Sequence, residues 1–302
     1  MSWAKRGLVI PAPPPLGWAA SHAALPTVLQ QEDALRLYFS SRDAQGRSHI
    51  AAATVSPGAF DEAQFEEAPA IAPGPLGAFD DAGVTSACIV ECEGRLYQYY
   101  SGWSLGVSVP FYFYVGCAIS DDGGTTFRKV SSAPLLERDD VDPFLTASPW
   151  VLMENGIWRM WYVSGTGWEL EQGRPKHRYH IKYAESTDGL SWRRTGHVCI
   201  DYREPAEFAI ARPCVLRDDG VYRMWFCARG DSYRLGYAES ADGLVWERQD
   251  ERAGLEPSAD GWDSEMVAYP CVFDHVDTRY LLYNGNGYGE TGIGCAVSEP
   301  DA

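Results

Sequence analysis

The sequence predicts an all-β fold, a five-bladed β-propeller of four-stranded antiparallel blades, and three observations predict it. A small residue recurs at Pro26, Ala87, Pro149, Pro213 and Pro270, and thirteen positions after each stands an aromatic: Phe39, Tyr100, Tyr162, Phe226 and Tyr283. Each unit then reaches a serine in an A-x-S-like step, at Ser56, Ser120, Ser186, Ser240 and Ser298. From one small residue to the next the steps are 61, 62, 64 and 57 residues. A repeat of that length made of short strands is a propeller, and propellers gather their function on one axis.

Each unit reads as four strands. The first surrounds the small residue (Pro213-Cys214-Val215-Leu216) and the second is aromatic (Tyr222-Arg223-Met224-Trp225-Phe226). Arg217-Asp218-Asp219-Gly220 between them is turn chemistry. The third strand runs through Arg234 to Ser240, and an Asp-Gly turn leads to a fourth strand opened by tryptophan. Alternating apolar positions with β-branched and aromatic enrichment agree throughout.

After Ser298 the fifth unit has no fourth strand. The N-terminus supplies one: Ser2-Trp3-Ala4-Lys5-Arg6-Gly7-Leu8-Val9-Ile10 matches the fourth strand of unit three, which begins Ser191-Trp192 and continues through Gly196 and Val198. Residues 2–10 are expected to complete the last blade, close the ring and remove an exposed sheet edge. The chain therefore reads as one domain, 1–302, with blades at about 17–70, 77–133, 140–202, 204–252 and 260–298 plus 2–10.

A formal charge of −17 argues against nucleic acid or an anionic membrane as the main partner. No apolar run reaches the length of a membrane span, and residues 1–15 lack a secretion signal's apolar stretch and cleavage site. Cys88, Cys214 and Cys271 share one place in the repeat, and Cys117 and Cys295 share another, which points to packing rather than disulfides. No C-x-x-C pair exists. A cytoplasmic location is the expectation.

Residues just before the first strand of each blade face the axis, and carboxylates gather there: Asp80 and Asp81, Asp142, Glu207, then Asp263 and Glu265. The first unit offers His22 instead. Carboxylates converging on one mouth shift one another's pKa values and support acid/base chemistry. Arg42 and Arg229 occupy one position, three residues past the second-strand aromatic, where units two and five carry Trp103 and Asn286; Arg212 directly precedes Pro213. Guanidinium groups suit carboxylate or phosphate, so an anionic sugar is conceivable alongside simple pairing with the nearby acids. Trp18, Trp103, Trp168 and Tyr288 lie beside glycines, where aromatic rings stack on sugars or pack blade edges. Segment 165–180 reads as a mixed-charge lid or subunit contact. The apolar segment 104–114 suggests burial by a partner, which makes a homodimer one expectation.

The five-unit count, the S-x-D-G-x-x-W turn and the acid before each inner strand resemble the five-bladed propeller glycosidases of glycoside hydrolase families 32, 43, 68, 117 and 130. The stretches Gly261-Trp262-Asp263-Ser264-Glu265-Met266 and Tyr283-Asn284-Gly285-Asn286-Gly287-Tyr288-Gly289 resemble propellers of bacterial surface-polysaccharide clusters, which implies a glycan context. Families 43 and 32 place an aspartate before the first inner proline; here Leu25 precedes Pro26. Asp142 and Glu207 are only approximate counterparts of those families' later acids, so no catalytic set carries over residue for residue. A histidine acid of the family 117 kind would give His22 a role.

The resulting expectation is hydrolysis of a glycan or glycosylated small molecule. Asp81, Glu207 and Glu265 would do acid/base work and Asp142 would orient or tune them. His22, Arg42, Trp103, Arg212, Arg229, Asp263 and Asn286 would hold the substrate. A phosphorylase or transferase like family 130, and a carbohydrate-binding propeller without chemistry, are the alternatives. No cofactor is expected: axial calcium would suit carboxylates, but no ligand motif calls for it.

Overall fold

The computed structural model describes residues 2–32 and 34–299; Met1, Asp33 and residues 300–302 lie outside the described residues. Strand β1 (Trp3–Ile10) opens the chain, four four-stranded antiparallel blades follow, and β1 completes the fifth. Blade one is β2 (Ser21–Gln30), β3 (Leu35–Arg42), β4 (Ser48–Ser56) and β5 (Ala59–Phe65). Blade two is β6 (Gly83–Cys92), β7 (Arg95–Leu105), β8 (Phe111–Ser120) and β9 (Arg128–Lys129). Blade three is β10 (Thr146–Glu154), β11 (Ile157–Glu171), β12 (Arg174–Ser186) and β13 (Arg193–Ile200). Blade four is β14 (Ala209–Asp218), β15 (Val221–Arg229), β16 (Tyr233–Ser240) and β17 (Glu247–Arg248).

Blade five is β18 (Ala268–His275), β19 (Thr278–Asn284) and β20 (Ile293–Ser298), with β1 as its outer strand. Trp3 pairs with Ser298 and Ile10 with Ile293, so the two ends of the chain close the ring. The innermost strands β2, β6, β10, β14 and β18 touch in that order, and β18 returns to β2. Two-residue turns at Asn155-Gly156 and Asp219-Gly220 have both residues at positive φ, the hairpin geometry whose twist matches the strands.

Three devices recur from blade to blade. In the first, the serine that ends the third strand takes the amide of the turn glycine, as in Ser186 Oγ with Gly189 N–H at 2.9 Å. That glycine's carbonyl then accepts from the preceding blade. Tyr38 donates to Gly124, Tyr99 to Gly189 and Trp161 to Gly243, each at 2.8 Å. The equivalent donor in blade four, Trp225 Nε1, has no acceptor among the described residues.

The second device shapes the axis. Every innermost strand carries a bulge at its small residue, and the preceding residue is left-handed in four of them: Leu25 (φ 57°), Ser148 (43°), Arg212 (54°) and Tyr269 (57°). Such backbone is costly for residues with a Cβ and needs support from its surroundings. For Leu25, Ser148 and Tyr269 the support is a side chain of the neighbouring blade that catches the amide, and the same contact recurs at Ser86. Asn284 Oδ1 takes Leu25 N–H at 2.8 Å, Ser40 Oγ takes Ser86 at 3.0 Å, Ser101 Oγ takes Ser148 at 2.7 Å, and Cys227 Sγ takes Tyr269 at 2.9 Å.

The third device is an ion pair within each of four blades. An acid before the inner strand reaches a cation on the outermost strand, over the second-strand aromatic. Asp80 meets Lys129 (2.5 Å) and Tyr100, Asp142 meets Arg194 (2.8 Å) and Tyr162, and Asp263 meets Lys5 (2.6 Å) and Tyr283. In blade four Glu207 is bidentate to Arg248, at 2.9 Å for both bonds, and Phe226 stands where the others have tyrosine. These clasps tie the short outer strands to the inner edge of each blade.

Candidate functional site

A cavity of about 410 Å³ opens on the axis. Its floor and sides come from the bulged inner strands and the first residues beyond the second strands. On one side are His22 and Arg42 of blade one, Tyr269 and Tyr288 of blade five, and Arg229 and Tyr233 of blade four; on the other are Trp103, Phe111 and Phe113 of blade two. His177 and Tyr179 of blade three complete the wall, with Ser40, Ser48, Ser101 and Ser148 between them. Among the described residues no Asp or Glu side chain lines this cavity.

The aromatic side is built by two long hairpins. Strands β7–β8 and β11–β12 continue past the blade body, the second through a tight turn at Gln172-Gly173 with both residues at positive φ. Their rings meet: Phe111 lies 5.2 Å from Trp168 and 5.7 Å from His177, and Phe113 lies 6.3 Å from Trp103. The apolar segment 104–114 therefore turns Phe111 and Phe113 inward, and the stretch 165–180 is an antiparallel hairpin with one register shift at Gly165/Gly167. Trp103 is oriented by its indole N–H, which donates to Ser48 Oγ at 2.8 Å.

The polar side is cationic. Arg229 lies against three rings, 5.1 Å from Phe208, 5.5 Å from Tyr233 and 5.2 Å from Tyr288. Its Nε is buried without a hydrogen-bond partner. Neither Arg229 nor Arg42 forms an ion pair among the described residues, although Lys5, Lys129, Lys182, Arg194 and Arg248 are all paired. Burial lowers the His177 pKa to about 4, helped by Arg229 and Lys176. His22 is lowered by burial and by Arg42, against the opposing pull of Glu290, whose carboxylate lies 3.8 Å from Nε2 at the exposed rim. The Tyr179 and Tyr233 hydroxyls hydrogen-bond each other.

The acids expected to converge on the axis do not meet there. Asp142 is fully buried, accepting from Tyr162, from Ser164 at 2.6 Å, from Lys182 at 3.2 Å and from Arg194. Glu207 is held by Arg248 and by the amide of Arg203 at 2.6 Å. Asp81 caps Gly77 N–H at 2.9 Å and faces a separate outer cleft with Phe79, Tyr114 and Arg138. Glu265 is exposed, and its backbone carbonyl takes Arg234. The physical reason is common to Asp142, Glu207 and Asp263: each supplies a counter-charge to a cation on an outer strand.

The residues expected to hold substrate divide. His22, Arg42, Trp103 and Arg229 line the cavity. Arg212 does not: it is buried beneath, donating at 2.6 Å to the carbonyls of Ser86 and Pro26 and so joining three inner strands. Asp263 is committed to Lys5 and Tyr283. Asn286 ties its loop after β19 to the segment before β18, through the amides of Glu265 and Met266 and the carbonyl of Gly261. Trp18 packs on His49 outside the cavity. Phe111, Phe113, His177, Tyr179, Tyr233 and Tyr269 were not expected as site residues. The i, i+2 alternation of Phe111 with Phe113 and His177 with Tyr179 is the signal that places each pair on one strand face. Among the described residues no three His, Cys, Asp or Glu side chains converge as a metal site.

No family model matches the sequence. It is 44% identical over 301 residues to the uncharacterized protein MT1551 of Mycobacterium tuberculosis strain CDC 1551 / Oshkosh, covering 99% of this chain and all of that one. It is 43% identical over 301 residues, with the same coverage, to the uncharacterized protein Rv1502 of strain ATCC 25618 / H37Rv. Among solved structures, BT0996 in its RGII complex superposes with a TM-score of 0.77 at 18% identity, over 98% of this chain and 91% of that one. A thermostable family-43 glycoside hydrolase superposes with a TM-score of 0.70 at 17% identity, over 95% and 90% of the two chains. At these identities the likeness is one of fold.

Proposed function

This protein belongs to the family of MT1551 and Rv1502, and we propose that its axial cavity is a saccharide site. The observation that carries this reading is the cavity's division into an aromatic wall and a polar wall. Trp103, Phe111 and Phe113 offer flat apolar faces, while His22, Arg42, His177, Arg229 and the serines offer hydrogen bonds. Pyranose rings present one apolar face and a rim of hydroxyls, which is the complement of such a lining. The propeller glycosidases that share the fold put this reading within reach of known chemistry.

Hydrolysis by a pair of carboxylates needs two acids flanking the scissile bond. The cavity lining holds none, which favours binding without carboxylate-pair chemistry. One observation keeps a hydrolytic reading: His22, in the cavity, and Glu290, at the rim, lie 3.8 Å apart, an acid/base pair that would have to close to hydrogen-bond distance on a bound substrate to move a proton.

The test is a calorimetric and turnover screen against neutral, uronic and nonulosonic glycosides, with and without phosphate. Saturable binding lost in Trp103→Ala and retained in Glu207→Gln is expected. Turnover lost in Glu290→Gln and His22→Gln would establish the hydrolytic reading. Binding that survives Trp103→Ala but disappears in Glu207→Gln would overturn the assignment of the site.

A further inference from the structure

We propose that the ligand of the axial cavity carries an anionic group, the carboxylate of a sugar acid or a phosphate ester, held between Arg229 and Arg42. The inference rests on the saccharide reading above and names the substrate class.

The protein as a whole is strongly acidic, with 42 Asp and Glu against 25 Lys and Arg. In such a chain a cation ordinarily finds a carboxylate, and the outer-strand cations do: Lys5, Lys129, Arg194 and Arg248 are each paired with a buried acid. The cavity reverses this. It presents two guanidinium groups, two imidazoles and no carboxylate, and neither guanidinium is paired among the described residues. A positive cavity in a negative body both concentrates an anion locally and leaves its charge uncompensated until one binds.

Arg229 is also held in readiness. Three aromatic rings, Phe208, Tyr233 and Tyr288, fix its plane without using its hydrogen-bonding edge, and its Nε is a buried donor with no acceptor. A buried donor left open is costly, and a ligand oxygen is the group that would satisfy it. Arg42 and Arg229 occupy equivalent positions on blades one and four, with Tyr269 and Tyr288 of blade five between them. The anion therefore belongs on that side. The sugar ring extends toward Trp103 and Phe113. A guanidinium recognises carboxylate and phosphate alike through paired oxygens, so both sources share this chemistry.

The experiment is isothermal titration calorimetry of the full chain with matched probes: methyl β-D-glucoside against methyl β-D-glucuronide, galactose against galacturonate, glucose against glucose 6-phosphate, and inorganic phosphate alone. Wild type is expected to bind at least one anionic sugar tenfold or more tightly than its neutral partner and than inorganic phosphate. Which of the acid or the ester binds more tightly identifies the source. Arg229→Gln and Arg42→Gln should each weaken that binding at least tenfold and weaken neutral-sugar binding by a clearly smaller factor, while Arg229→Lys, which keeps charge but loses the fork, should fall between. Melting temperatures of the three variants control for folding, and the exposed Arg42 keeps the test valid if Arg229→Gln misfolds. Equal binding of neutral and anionic partners overturns the charge inference and leaves the saccharide site standing. Phosphate binding as tightly as every sugar overturns the saccharide reading itself, and absence of binding to all probes overturns both.

Discussion

Replacing Asp142 by asparagine separates a structural acid from a catalytic one. The carboxylate is fully buried, takes hydroxyls from Tyr162 and Ser164, and faces two cations, Lys182 and Arg194, whose side chains are each 11% exposed. The amide keeps the volume but removes the charge, leaving both cations short of a counter-ion. Removing one partner of a buried pair costs roughly 3–5 kcal/mol. The lower end applies, because Lys182 retains the Val141 carbonyl and Arg194 retains Asp139 and the Glu137 carbonyl. Unfolding entropy of roughly 2 cal/mol/K per residue gives a 302-residue chain about 0.6 kcal/mol/K, so a loss of about 3 kcal/mol lowers Tm by about 5 °C. Scanning calorimetry of wild type and Asp142→Asn measures this, with calorimetric titration of the same samples. A variant that melts within about 1 °C of wild type yet has lost ligand binding or turnover would refute the clasp argument and return Asp142 to the chemistry.

Further expectations follow from the same structure. Deleting residues 2–10 removes the outer strand of blade five together with the buried Trp3, Val9 and Ile10, at roughly 1.5–3 kcal/mol each. That total rivals the whole stability of a typical domain, so the truncated chain should show no cooperative melting transition by circular dichroism. His177 has a native pKa near 4 against an ordinary 6.5, so the unfolded chain takes up its proton first. Its contribution is complete above pH 6.5 and falls by roughly 3 kcal/mol as pH drops to 4, with His22 and His180 acting in the same direction. His177→Gln should flatten the urea-midpoint profile across that window, and an unchanged slope would contradict it. At lower pH the turn aspartates take over. Burial pushes Asp188 up, but the amides of Ser191 and Leu190 and the Ser186 hydroxyl outweigh it and hold the pKa at about 2, so its contribution is full above pH 4 and lost toward pH 2. Six of the eight cysteines are buried, and burial raises Cys199 to about 12, so Ellman titration of native protein should find one fast thiol, Cys92.

The fold was legible because each blade must solve the same problem with the same residues. The turn serine, the aromatic thirteen positions after the small residue and the Asp-Gly pair recur because each carries a specific bond between or within blades. That same regularity misled the reading of the site. An acid before the inner strand recurs in four blades, and in each of them it neutralises a cation on the outer strand. The proposed site sits where the units differ. The position holding Arg42, Trp103, Gly165, Arg229 and Asn286 departs from the repeat in nearly every blade, and three of its five residues line the cavity. His177 and Phe111 were read as parts of a lid or subunit contact rather than as cavity residues, because their hairpins are additions to the repeat, with no counterpart by which to place them.

The most direct measurement is a crystal structure of the protein soaked with the tightest-binding glycoside of the calorimetric screen. The account predicts density in the axial cavity, with the sugar ring against Trp103 and its anionic group within hydrogen-bond distance of Arg229. Density in the outer cleft beside Asp81 and Arg138, with the axial cavity empty, would contradict it.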